Sequence, residues 1–110
     1  MNTSKTVIVT GSSGLVGSSL VAHLADLGFH VRAFQRERPR HADSRVSYHT
    51  FDLKDVRDVD FAGADYIVHC AYRPFVSRAE RMSSVNVDLQ AARDVISLSR
   101  KHGIRMIFLS

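Results

Sequence analysis

Apolar positions along the chain alternate between short β-branched runs and longer stretches spaced for a helix. Thr6-Val7-Ile8-Val9-Thr10 is a compact run closed by Gly11, the pattern of a buried strand. From Leu15 the spacing changes. Val16, Leu20, Leu24 and Leu27 recur at helical period and predict an amphipathic helix ended by Gly28. His30–Gln35, with Val31, Ala33 and Phe34, predicts a second strand, and the charged stretch Glu37–Ser44 around Pro39 a loop. Val46–Leu53 alternates loosely and reads as a third strand; Lys54–Gly63 carries Val56, Val59 and Phe61 and predicts a short helix or turn. Asp65–Ala71 is a fourth, mostly apolar strand. Ser84–Lys101 places Val85, Leu89, Ala92 and Ile96 on one face of a long helix, stopped by His102-Gly103. Arg105–Ser110 predicts a fifth strand.

Strands alternating with helical segments indicate βαβ units and a parallel sheet. With right-handed crossovers the expected strand order is 3-2-1-4-5, a doubly wound α/β fold. The 110 residues suit one domain, residues 1–110. Composition, 45% hydrophobic and 24% charged, argues against disorder. The longest unbroken apolar run is Met106–Leu109, so no membrane partner is expected. The single cysteine, Cys70, excludes an internal disulfide and a Cys-rich metal site, and no signal-peptide core precedes the first strand. A cytoplasmic protein is expected. The net charge of +4 is uneven: Arg32, Arg36, Arg38, Arg40 and Arg45 crowd one region, opposed by Glu37 and Asp43. Such a cluster is either a solvated loop or a surface for phosphate groups.

Thr10-Gly11-Ser12-Ser13-Gly14-Leu15-Val16-Gly17 lies between a strand and a helix. That is where a pyrophosphate finds free backbone N–H groups and the positive end of a helix dipole. Gly11 permits the tight turn, Gly14 lets backbone approach the phosphates, and Gly17 allows close helix–sheet packing. Ser12 and Ser13 add hydroxyl donors. Glycine spacing alone is weak, and a ligand-free β–α turn is the plainer alternative; the flanking strand and helix supply the context the motif needs. No Lys-Ser/Thr pair follows the glycines, which excludes a Walker-type loop.

The Gly-x-x-Gly-x-x-Gly spacing resembles the extended short-chain dehydrogenase/reductase family, of the NAD-dependent epimerase/dehydratase type. The likeness continues through Asp52-Leu53, Val68-His69-Cys70-Ala71, Asn86-Val87-Asp88 and Ile104–Ser110. It implies a Rossmann-like fold binding NAD or NADP. The cofactor contacts it implies are Gly11, Ser13, Gly14, Leu15, Val16, Gly17, Gln35, Arg36, Asp52, Leu53, Cys70, Ala71 and Asn86. Asp52 would accept from the adenine, although a strand-end turn role is open; Asn86 reads equally as a helix cap. His69 reads as a hydrogen-bonded core residue. Tyr72 and Arg73 follow strand four at the ligand-binding edge and are weak candidates for touching cofactor or substrate.

Gln35 stands where NAD-preferring relatives carry Asp. A carboxylate there would repel a 2′-phosphate, whereas Gln35 does not and Arg36 beside it can pair with one. NADP is therefore expected over NAD. Family enzymes use a Tyr-x-x-x-Lys pair, yet the residues four beyond Tyr48, Tyr66 and Tyr72 are Asp52, Cys70 and Val76. No catalytic residue is assigned. The chain reads as the cofactor-binding half of an oxidoreductase or epimerase/dehydratase, truncated after strand five and inactive alone. The alternative is a stand-alone NADP-binding sensor or subunit module. Nucleic acid as the partner would leave the glycine turn and Asp52 unexplained. An open edge at strand five is expected to promote self-association.

Overall fold

The structure is a computed structural model that describes residues 5–12, 14–51, 61–70 and 78–108, with backbone only for 78–88. Its strands are β1 (Thr6–Thr10), β2 (His30–Gln35), β3 (Val46–Thr50), β4 (Tyr66–His69) and β5 (Arg105–Phe108). The helices are α1 (Leu15–Asp26) between β1 and β2, and α2 (Arg78–His102) between β4 and β5. The sheet is parallel throughout in the order β3-β2-β1-β4-β5, as the alternation of elements predicts. The short helix or turn expected at Lys54–Gly63 lies mostly outside the described residues; its last residues form a turn, with Gly63 at φ +82°. The expected extension of β3 through Leu53 and of β5 through Ser110 also lies partly outside them.

β1 sits at the centre, and its alternation divides the core. Ile8 joins Phe34, Phe51, Phe61, Ile67, Ala91, Val95 and Ile104 on the α2 side. Val7 and Val9 join Val21, Ala25, Val31, Ala33, Val46 and Val68 on the α1 side. Phe34 anchors the first cluster, meeting Phe51 and Phe61 edge-on at ring-centroid distances of 6.1 and 5.4 Å. Such T-shaped pairs favour the ring quadrupoles as well as burying area.

The inward face of each helix is turned from the one the apolar spacing predicts, although Leu20 and Leu24 of α1 still pack against the core. In α1 the buried row is Gly17, Val21 and Ala25, with Leu20 and Leu24 beside it; Val16 and Leu27 are more than half exposed. The reason is steric. The helix lies so close to the turn before it that only a glycine fits at the point of contact, and the residues one turn apart from Gly17 follow it inward. In α2 the buried positions are Ala91, Val95 and Ser99, while Leu89 and Ile96 face outward. The Ser99 hydroxyl donates to the Val95 carbonyl, which satisfies it without leaving the helix. α2 also begins at Arg78, ahead of the expected Ser84.

Candidate functional site

The carboxyl ends of β1, β2 and β4 converge on the glycine turn. Gly11 leaves β1 at φ +74°, a left-handed conformation that glycine adopts without the penalty of a Cβ. Its N–H donates to the Phe34 carbonyl, tying the turn to the end of β2. A Cβ at Gly17 would stand 2.2 Å from the Gly11 carbonyl oxygen and 3.0 Å from Ser12 Cα, so the helix and the turn touch backbone to backbone. Gly14 differs. A Cβ there would meet only the Gly11 oxygen, at an ordinary 3.5 Å, and its φ of −72° suits any residue. Among the described residues nothing in the packing requires glycine at position 14, and the bare backbone leaves room there, as a cradle for a ligand would.

Gly14 caps α1, and its carbonyl accepts the first helical bond, from Ser18 N–H at 2.8 Å. The amides of Leu15, Val16 and Gly17 precede that bond and have no carbonyl one turn back within the helix. No side chain caps this end, and no acidic residue lies in the first turn to neutralise its dipole. Leu15 and Val16 are exposed at 88% and 59%. Among the described residues this helix start is thus uncovered and electropositive, the chemistry a pyrophosphate requires.

Gln35 ends β2 beneath this turn and is buried. Its Oε1 accepts the Ser12 hydroxyl, and its Nε2 donates to the Glu37 carbonyl at 2.6 Å. The amide therefore joins the glycine turn to the basic loop that follows. Between that loop and α1 lies an open groove of about 560 Å³. Its lining includes Ser12, Ser18 and Gln35 from the turn, α1 and β2, and Arg38, Arg40 and His41 from the loop. Arg36 is exposed and does not belong to that lining.

The remaining candidates divide by placement. Cys70 follows β4, half-buried, with its N–H donating to the Thr10 carbonyl; burial raises its thiol pKa, so it is an inert neighbour rather than a thiolate. Asn86 lies within α2. Ser13, Asp52, Leu53 and Ala71, with Tyr72 and Arg73, lie outside the described residues. His69 is buried, its Nδ1 2.6 Å from the Thr10 hydroxyl, and its ring leans on Phe108 at 5.3 Å. Burial holds its pKa down at about 4, so the ring is neutral near pH 7. Sequence reasoning took Ser12 as a spare donor, whereas its hydroxyl is given to Gln35; it named Arg38 only within the basic cluster and gave Tyr48 no role at the site. Their link to the turn arises from the pairing of β3 with β2 and leaves no local signal.

Comparison with known proteins agrees with this geometry. The model of the NAD dependent epimerase/dehydratase family matches residues 7–110. A ceramide reductase of Caulobacter vibrioides is 33% identical over 109 residues, covering 94% of this chain and 34% of its own. A 3-beta-hydroxysteroid dehydrogenase of Mycolicibacterium neoaurum is 30% identical over 108 residues, covering 90% of this chain and 30% of its own. The chain thus spans about a third or less of the length of the curated relatives it matches. A short-chain dehydrogenase/reductase superfamily protein from Agrobacterium tumefaciens, solved with bound NAD, superposes with a TM-score of 0.78 at 26% identity, over 94% of this chain and 31% of that one. The glycine turn, the sheet order and these matches together make the chain a member of the NAD dependent epimerase/dehydratase family.

Proposed function

We propose that these 110 residues bind a nicotinamide dinucleotide, with NADP favoured over NAD, and carry no catalytic step by themselves. The observation that carries this reading is the uncapped α1 start over a glycine turn whose Gly14 is not required by packing. The backbone from Gly11 to Gly17 would hold the pyrophosphate, and Asp52 and Leu53 the adenine. Ala71 and Cys70 after β4 would line the cofactor's path, with Asn86 on the following helix. When bound, the nicotinamide accepts or donates a hydride. The chain offers it no Tyr-x-x-x-Lys pair, so no acid/base partner for that chemistry is supplied from these residues. The preference for NADP is supported by an uncharged Gln35 at the end of β2 and by the arginines beyond it.

Titration of the chain with NADPH and NADH, followed by nucleotide fluorescence, tests the reading. Saturable NADPH binding with a Kd on the order of micromolar is expected, weakened at least tenfold by Gly14→Val. Failure of both nucleotides to bind a chain shown folded by circular dichroism would refute it. Turnover of NADPH by the chain alone would refute the absence of chemistry.

A further inference from the structure

Resting on the dinucleotide reading above, we infer that discrimination for a ribose 2′-phosphate is set from β3. Tyr48 is the positioning residue, and Arg38, not Arg36, is the guanidinium that meets the phosphate.

Tyr48 lies opposite Ala33 in the β2–β3 register, on the face of the sheet that α1 covers. That placement brings it under the basic loop. Two contacts fix the loop to it. The Asp43 N–H donates to the Tyr48 hydroxyl at 3.1 Å, and the Arg38 guanidinium lies over the Tyr48 ring, 5.7 Å from its centroid. A cation held over an aromatic face loses less freedom on meeting an anion than a solvated arginine does. Gln35 adds the third tie, through the Glu37 carbonyl. The loop is therefore held at both ends against the sheet, with Arg38 between the ties.

Charge in the groove agrees. Of the two acids lining it, Asp43 is already engaged by Arg45 at 2.8 Å, and Arg45 reaches on to Asp26 of α1 at 2.7 Å. Arg38 and Arg40 then outweigh Glu37. The Ser12 and Ser18 hydroxyls also line the groove, but each already donates within the protein, to Gln35 Oε1 and to the Leu15 carbonyl, so the guanidinium groups are its charged donors. Two guanidinium groups lining one groove suit a phosphomonoester dianion, which accepts charge-assisted bonds on three oxygens. Arg36 lies outside this lining, so its charge acts on the groove only through solvent.

The test compares NADPH, NADH and 2′,5′-ADP on the full chain. Arg38→Ala is expected to weaken NADPH and 2′,5′-ADP by about tenfold and NADH by less than about twofold, the size of one charge-assisted pair. Tyr48→Leu is expected to give the same selective loss in smaller degree, and Arg36→Ala about twofold at most. Thermal unfolding of each variant separates a folding defect from a binding one; a purely structural Tyr48 would weaken NADH and NADPH equally. Loss of NADPH binding in Arg36→Ala with Arg38→Ala unaffected overturns the inference and leaves the dinucleotide reading intact. So does wild-type binding of NADH without 2′,5′-ADP. Binding of none of the three removes both.

Discussion

Replacing Gly17 by alanine adds one methyl group at the tightest backbone contact described in the molecule. That methyl would stand 2.2 Å from the Gly11 carbonyl oxygen, with the Gly11 carbon and Ser12 Cα each at 3.0 Å. Ordinary contact begins near 3.4 Å, so α1 must retreat from the turn by about 1 Å. All three opposing atoms are backbone, and no rotamer change relieves them. The cost belongs at the upper end for overpacking, about 3 kcal/mol. In a domain of this length that lowers Tm by roughly 12–24 °C. Gly14→Ala is the control. Its φ and ψ suit alanine and its nearest neighbour is 3.5 Å away, so stability should stay within about 1 kcal/mol of wild type. Thermal and urea unfolding followed by circular dichroism measure both. If Gly17→Ala unfolds within about 0.5 kcal/mol of wild type, or Gly14→Ala falls as far as Gly17→Ala, the division of labour between the two glycines is wrong.

Two further outcomes follow from other parts of the molecule. The His69 pKa in the folded chain, about 4, lies below its ordinary 6.5, so the unfolded chain takes up the proton first as pH falls. Its contribution to stability is complete above pH 6.5 and is lost progressively down to pH 4, by about 3 kcal/mol at most; His69→Asn should flatten urea midpoints across that window, and an unchanged slope would contradict the buried neutral ring. At β5, which pairs only with β4 among the described strands, Ile107 and Phe108 are half exposed. Light scattering should show concentration-dependent association that Ile107→Lys reduces; a chain that stays monomeric at high concentration would argue against this edge as a pairing surface.

The order of strands was legible because β1, β4 and β5 are short, mostly apolar runs, β2 and β3 alternate enough to be seen between charged or glycine-bearing segments, and a parallel sheet admits few topologies. The glycine turn was legible for the same reason: its spacing encodes a backbone contact. The faces of the helices were not. Leucine spacing points to Val16 and Leu27, yet the inward row of α1 is dictated by Gly17, whose significance is the absence of a side chain. In α2 the leucine and isoleucine positions form a second apolar stripe on the outer face, and periodicity cannot rank two stripes on one helix. The groove escaped for a different reason. A linear reading favours Arg36, which follows Gln35 directly, and only the register of β3 against β2 puts an aromatic ring beneath Arg38.

The pairing of the central strand carries a kinetic consequence. β1 meets β2 early in the chain, Thr6 against His30, and meets β4 across a far longer span, Thr10 against His69. Each doubling of a closed span costs only about 0.6 kcal/mol in chain entropy, but long closures are slow to be found. The glycine turn and α1 lie inside the shorter closure, and Gln35 follows directly on it. The proposed phosphate cradle can therefore take shape on the nascent chain while β4 is still being synthesised, and a dinucleotide bound as proposed would act on folding as well as on the finished protein.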